Sequence, residues 1–137
     1  MKRFAVALLI CAALCAFCSC ASTNSVHLRV FVPYSENGVS GTLYDDIVDF
    51  SADIITVDSL LKRISNGGRL EYSCDEDCIP VINGVGIYFD YIEAYYRCWT
   101  VWINGERDEN GVEAHVFNGD EVEVVYELNA FESEGEK

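Results

Sequence analysis

Two histidines, His27 and His115, and three cysteines beyond the N-terminal region, Cys74, Cys78 and Cys98, are the side chains able to carry nucleophilic, metal or redox chemistry. Cys98 with His115 has the residue types of a thiol nucleophile and its base, but that chemistry also needs an orienting group and an oxyanion site. No nucleophile-elbow or phosphate-loop motif accompanies the pair. The three cysteines with a histidine imitate a zinc set in number, whereas an oxidising compartment favours a disulfide. Cys74 and Cys78 bracket Asp75-Glu76-Asp77 and are the easiest bridge to close. Either one paired with Cys98 is the alternative, and one thiol is left over. "DEDC" and "RDENG" look like pieces of calcium loops but lack the alternating ligands and terminal bidentate Glu. The expectation is a non-catalytic chain with no metal and no cofactor; an extracellular thiol or metal enzyme using Cys98 and His115 ranks third.

The compartment follows from the first 20 residues. Two basic residues precede an unbroken apolar run from Phe4 to Cys18 and then small residues. That is the form of a signal peptide, with an apolar run too short for an ordinary membrane span. Cleavage at Ser19-Cys20-Ala21 and lipidation of Cys20 in a lipobox-like "FCSC" are the two readings of its end. An unlipidated Cys20 would be a fourth disulfide candidate. Export to the outside of the cell or to a membrane anchor is expected in both cases.

The whole chain carries 9 Lys and Arg against 23 Asp and Glu, a formal charge of −14. Losing Lys2 and Arg3 with the leader leaves seven bases against 23 acids, a balance of −16. Such a field repels nucleic acid and anionic membrane surfaces. The expected partner is a small ligand or an extracellular protein, met by a monomer. Membrane contact would come only through an N-terminal lipid.

The elements that must position any site come from periodicity. "SVHLRVFVPY" alternates, with Val26, Leu28, Val30 and Val32 on one face, and Pro33 is expected to end the strand. Asn37-Gly38 supplies a turn to a weaker strand, "TLYDDIVDF". In "TVDSLLKRISNGG", Val57, Leu60, Leu61 and Ile64 form one helical stripe, with Thr56 as N-cap and Gly67-Gly68 as the stop. A short strand, an acidic loop and a strand ending at Asn83-Gly84 follow. An aromatic-rich segment then leads to "WTVWI", "VEAHVF" and "DEVEVVYEL", the last two joined as a hairpin through Asn118-Gly119. Residues 129–137 read as an acidic disordered tail.

One helix after a hairpin, then further strands, predicts an α+β fold of β-grasp type: a mixed sheet with one helix packed across one face. Its core is expected to take Leu28, Val30, Val57, Leu60, Leu61, Ile64, Trp99, Val101, Ile103, Ala114, Val116, Val122, Val124 and Tyr126. Strand parity then places Trp99 beneath the helix and Trp102 on the opposite face. That face would also carry His27, Arg29, Phe31, Thr100, His115, Phe117, Glu121, Glu123 and Val125. Phe31, Trp102 and Phe117 break its polar pattern, and clustered exposed aromatics mark contact surfaces. The alternatives are that segment 85–97 folds over the face, or that these rings are exposed singly.

"YYRCWTVWINGE" followed by "GVEAHVFNGDEVEVVYEL" resembles a bacterial exported domain of unassigned function related to the C-terminal domain of transcobalamin and intrinsic factor. Trp99, Ile103, Asn104, Gly105, Gly119, Asp120, Glu121 and Tyr126 meet the recurring pattern, "ITVDSLLKRI" is similar to its helix, and "VINGVG" to the segment before its aromatic run. The resemblance spans residues 26–128, within a domain of residues 21–128. It implies a β-grasp-like domain that binds rather than catalyses. In the vertebrate relatives this domain closes over cobalamin with a separate helical domain. The contacts it implies here are Tyr95, Tyr96, Trp99 and Asn104. With the parity set, the expected ligand-binding residues are Phe31, Tyr95, Tyr96, Trp99, Trp102, Asn104, His115 and Phe117, around a small ring-like ligand such as a corrinoid. An envelope protein–protein module using the same aromatics is the second reading.

Overall fold

Alternation along the first strand sets the architecture. In a computed structural model that describes residues 23–131, β1 (Asn24–Glu36) buries Val26, Leu28, Val30 and Val32 and turns His27, Arg29 and Phe31 the other way. Asn37 and Gly38 take φ values of +49° and +81° and return the chain as β2 (Val39–Phe50). That left-handed pair suits a two-residue hairpin, and Asn and Gly adopt it at least cost. β1 does not stop at Pro33. Its pairing with the last strand ends at Phe31, and its register with β2 is irregular from Val32 to Glu36, so no ladder bond needs the missing N–H.

A two-residue strand, β3 (Ile55–Thr56), leads into α1 (Val57–Asn66). Thr56 caps it as expected: its hydroxyl accepts the Ser59 N–H at 3.2 Å. Asp58 sits in the first turn and pairs with Lys62 one turn on, at 2.8 Å. Val57, Leu60, Leu61 and Ile64 are all buried. Gly68, at φ +70°, takes the left-handed residue at the stop, while Gly67 remains right-handed.

β4 (Tyr72–Cys74) and β5 (Pro80–Ile82) form a small hairpin of their own. β6 (Tyr88–Asp90), β7 (Tyr95–Ile103) and β8 (Glu106–Asp108) follow. A 3₁₀ turn (Gly111–Glu113) precedes β9 (His115–Val116), and β10 (Glu121–Ala130) ends the fold. The main sheet has the order β2-β1-β10-β7-β6, with β8 also beside β7. β1 and β10 are parallel and the other neighbours antiparallel. The described residues therefore form a mixed sheet with one helix over it, an α+β fold. Tyr44, Val48, Phe50, Val101, Val122, Val124 and Tyr126 meet the helix stripe in one core. Trp99 joins them, and Ile103 packs on that core half-buried.

Two expectations need correction. "VEAHVF" is not a strand hairpinned to β10: both edges of β10 are occupied, by β1 and β7. The segment instead turns at Gly111–Glu113 and pairs His115–Val116 with Thr56–Ile55, so that Val112, Ala114 and Val116 seal the entry to the helix. The tail also begins later than residue 129, because Asn129 and Ala130 complete β10. The leader, Cys20 and residues 132–137 lie outside the described residues. Among those described, no helix is long and apolar enough to cross a membrane.

Leu60, wholly buried at the centre of the stripe, carries the first prediction. Leu60→Ala should lower unfolding stability by about 3 kcal/mol in urea titration, and a loss below about 1 kcal/mol would show that the helix does not seal the sheet. Tyr126 carries the second. Its phenol is pushed up to about 12, first by burial and then by Glu36, with Arg97 opposing. The unfolded phenol ionises near 10, so stability present below that pH is lost as pH rises through the window to about 12. Tyr126→Phe should cost about 1 kcal/mol at neutral pH through the lost 2.9 Å bond to the Gly86 carbonyl. Its urea midpoint should then fall less steeply over that alkaline window; an unchanged slope would refute the assignment.

Candidate functional site

The face turned away from the helix is built by register. Across β10 and β7, Glu123 lies opposite Trp102, Val125 opposite Thr100, Glu127 opposite Cys98 and Asn129 opposite Tyr96. Arg29 and Phe31 of β1 neighbour Glu123 and Val125. Arg107 of β8 pairs with Trp102, and Phe89 of β6 with Tyr96. Opposed residues of a ladder share a face, so this outer surface holds three aromatic types, two guanidinium groups and a line of carboxylates.

Its floor is a connected polar network. The Thr100 hydroxyl is buried, 2.7 Å from Glu127 Oε2 and 3.1 Å from the Val125 carbonyl. It accepts the Trp102 indole N–H at 3.3 Å. Beside it, Arg107 donates to Asn129 Oδ1 at 3.1 Å, and the Asn129 amide donates to Cys98 Sγ at 3.5 Å. Burial pushes the Cys98 thiol up, Arg107 opposes and Glu127 adds to the rise. Protonated and hydrogen-bonded, Cys98 is a poor nucleophile.

At one end stands an aromatic wall. Phe131 stacks on Phe89 at 6.3 Å and on Tyr91 at 6.2 Å, and its ring lies tilted 5.5 Å from Tyr96. Phe89 and Tyr91 stack at 5.8 Å. These are the centroid separations of attractive offset pairs, yet Tyr91 is 80% exposed. Wall and floor enclose an open groove of about 780 Å³ lined by Tyr96, Cys98, Thr100, Arg107, Asn129 and Phe131, with the carboxylates Asp108 and Glu109 and an edge of Trp99 also on its walls. A second depression of about 470 Å³ continues past Arg107 and Asn129 to Phe31 and Tyr34. Segment 88–90 extends the sheet at its edge rather than folding over the face.

The expected site residues separate into five groups. Phe31, Tyr96 and Trp102 lie on the outer face together. Trp99 is buried, its indole N–H donating to the Val85 carbonyl at 2.8 Å, and only its edge borders the groove. Tyr95 has the opposite parity from Tyr96 and lies beneath Arg97, which is ion-paired to Glu36 at 2.8 Å. Asn104 is a clip between turns: its amide donates to Asp120 Oδ1 at 2.8 Å and its oxygen accepts the Glu121 N–H at 3.0 Å. His115 and Phe117 are not on the outer face at all, because β9 pairs with β3. His115 opens on a separate depression with Thr56, Asp58, Cys78 and Glu113, so it is set apart from Cys98. His27 Nε2 lies 2.7 Å from Asp45 Oδ1 on the exposed sheet surface, apart from His115. The expected Cys74–Cys78 bridge is also not formed; Cys74, Cys78 and Cys98 are free thiols. Among the described residues no cluster of three or more His, Cys, Asp or Glu has metal-binding geometry.

Arg107, Asn129 and Phe131 were missed by the sequence reading. Arg107 had a signal: a two-residue turn at Asn104-Gly105 sets residue 107 opposite Trp102. Asn129 and Phe131 had none, being embedded in acidic composition. In comparisons with known proteins, no family model matches the chain and no curated protein matches its sequence.

The two indoles should report their faces separately. Trp102→Phe leaves a blue-shifted emission from Trp99 that acrylamide quenches weakly. Trp99→Phe leaves a red-shifted, readily quenched emission from Trp102, at a cost of about 2 kcal/mol in stability. Equal quenching of the two single-tryptophan proteins would contradict the parity of β7.

Proposed function

We propose that the chain is a non-catalytic exported or cell-surface binding module whose outer sheet face holds a small ring-like ligand, a corrinoid being the leading case. The observation that carries this reading is the exposed four-ring wall of Phe89, Tyr91, Tyr96 and Phe131 beside a groove of about 780 Å³. The volume is that of a small-molecule cleft, and aromatic faces suit flat or apolar rings. Arg107 adds a directional group. Among the described residues no carboxylate lies within ion-pair distance of it, its partner being the neutral Asn129. It is free to receive a carbonyl or anionic substituent at the ligand's rim.

Support for a β-grasp-like, transcobalamin-related fold is topological. A first hairpin, a helix after it and a last strand inserted parallel to β1 at the sheet's centre support it. The non-catalytic part rests on the separation of Cys98 from His115 and on the thiol's raised pKa. One observation favours the protein-interaction alternative: Tyr91 and Ile92, at the tip between β6 and β7, are 80% and 96% exposed. There the acidic surface would steer a basic partner.

The test is a fluorescence titration with cobalamin. Saturable quenching of Trp102 at micromolar ligand is expected. Tyr96→Ala, Phe131→Ala and Arg107→Ala should each weaken binding about tenfold, or about 1.4 kcal/mol, while Ile92→Ser and Phe117→Ala leave it unchanged. Absence of saturable quenching would sink the corrinoid assignment. Equal loss on Ile92→Ser would move the contact to the tip and favour the protein-interaction reading.

A further inference from the structure

The groove beside the aromatic wall coincides with a break in the sheet. β6 pairs with β7 only from Tyr95 to Arg97, and β8 pairs with it only from Val101 to Ile103. Between them Cys98, Trp99 and Thr100 have a ladder neighbour on the β10 side alone. Neither flanking strand continues into the break: pairing ends at Tyr88 and at Asp108, and Glu109 and Asn110 turn away toward Gly111 at φ +56°. The ladder also fixes which main-chain groups face the break. The Asn104 N–H donates to the Glu121 carbonyl at 2.8 Å, and the Phe131 N–H donates to the Ala94 carbonyl at 3.2 Å. The residues flanking β7 at both ends therefore bond toward β10, and the register between them runs without a shift. Bonding direction alternates along an antiparallel strand, so Cys98 and Thr100 bond β10 while the Trp99 N–H and C=O point into the break. Among the described residues no main-chain or side-chain group outside the ladders bonds either of them. The lining has the form of a slot in the sheet rather than a dent in one face. Cys98 and Thr100 border it from the outer parity of β7, and Trp99 and Val101 from the inner. An unmet N–H and C=O on a strand edge is a template for one further strand.

We propose that this break is a docking site for an extended peptide segment of a partner protein, laid antiparallel to β7 as a short strand between β6 and β8. Its central residue exchanges two main-chain hydrogen bonds with Trp99. From Arg97 to Val101 the break spans about 13 Å at about 3.3 Å per residue, which leaves the three positions opposite Cys98, Trp99 and Thr100. Antiparallel is the direction that both β6 and β8 already take. Parity then assigns the side chains. The peptide residue opposite Thr100 stands on the outer face next to Arg107, and the one opposite Cys98 stands there next to Phe89. Arg107 makes no ion pair among the described residues. Asp108 has the other parity, and its Oδ1 is held by the Asn110 main-chain and amide N–H groups. An acidic side chain therefore complements the position beside Arg107. The rings of Phe89, Tyr96 and Phe131 suit an apolar side chain at the other outer position. The central side chain turns inward, where Gly111 borders the groove, so a small one fits. In chain order the motif is acidic, small, aromatic. It does not rest on the ring-ligand reading: a ring stacks on the wall, whereas a peptide is held by the strand edge.

The test is amide hydrogen exchange, read by NMR on the isotope-labelled full chain, with the capped peptide acetyl-Glu-Ala-Phe-amide as probe. In the free chain the Trp99 amide should exchange about tenfold faster than the ladder-bonded amides of Thr100 and Val101. Saturating peptide should slow it about tenfold and leave Val122 and Val124 unchanged. Methylating the central peptide nitrogen removes the donor to the Trp99 carbonyl and should weaken binding about tenfold. Arg107→Ala should abolish the preference for this peptide over its Gln counterpart. A Trp99 amide already as protected as its neighbours, or equal binding of the methylated peptide, would overturn the proposal. So would resonance shifts confined to Tyr91 and Ile92. Cobalamin is titrated in parallel. Protection of Trp99 by cobalamin and not by the peptide would assign the break to the ring ligand and overturn the peptide. Protection by the peptide without cobalamin binding would leave this proposal standing and remove the corrinoid.

Discussion

The indole of Trp99 decides which way β7 faces, and the outer surface follows from it. Its N–H donates to the Val85 carbonyl, and its ring lies 5.2 Å from that of Tyr126, whose hydroxyl donates to the Gly86 carbonyl. Two aromatic side chains from adjacent strands thus hold consecutive residues of one connecting segment. A slip of β7 by one residue would leave a buried indole donor and a phenol unpaired, each costing about 1–3 kcal/mol, and would carry Thr100 and Trp102 into the core. With Trp99 fixed, Tyr96, Cys98, Thr100 and Trp102 have no other face to occupy. The groove is a by-product of sealing the core.

That same constraint explains why the outer face is satisfied rather than greasy. Thr100 is buried with its hydroxyl committed to Glu127 and Trp102, so the indole N–H beside the groove is not left without an acceptor. Arg29 stacks on Phe31 at 4.8 Å while paired to Glu123 at 3.0 Å. Such exposed pairs contribute little to stability, but they fix where rings and charges stand. Arg29 is held by a carboxylate; Arg107 has only a neutral amide. Among the described residues Arg107 makes no ion pair, although Asp108 and Glu109 line the same groove.

Much of the architecture was legible because it rests on local rules. The stripe of Val57, Leu60, Leu61 and Ile64, the Thr56 cap and the Asn37-Gly38 turn depend on residues within a few positions of one another. The burial of Trp99 and the outward turn of Trp102 follow from parity alone. Parity failed at His115 and Phe117 for a non-local reason. An alternating segment beside Asn-Gly reads as a hairpin, but β10 was already flanked on both edges by strands distant in sequence. Pro33 misled similarly: a proline ends a strand only where its N–H would have met a partner. Phe131 was invisible because the acids after it lowered the apparent order of a residue that three rings hold in place.

The two faces of the sheet divide the chemistry by accessibility. On the helix side, Asp58, Lys62 and Tyr72 gather at the helix N-terminus, where partial burial strengthens each contact. Burial and the bond to Asp58 push the Tyr72 phenol far up, so it remains a donor across the physiological range and keeps the carboxylate anchored. On the outer side, Cys98 is shielded by Asn129 and held protonated, and no imidazole shares its groove. In the groove that holds Cys98 the groups able to take a proton are carboxylates, among them Asp108 and Glu109, rather than an imidazole.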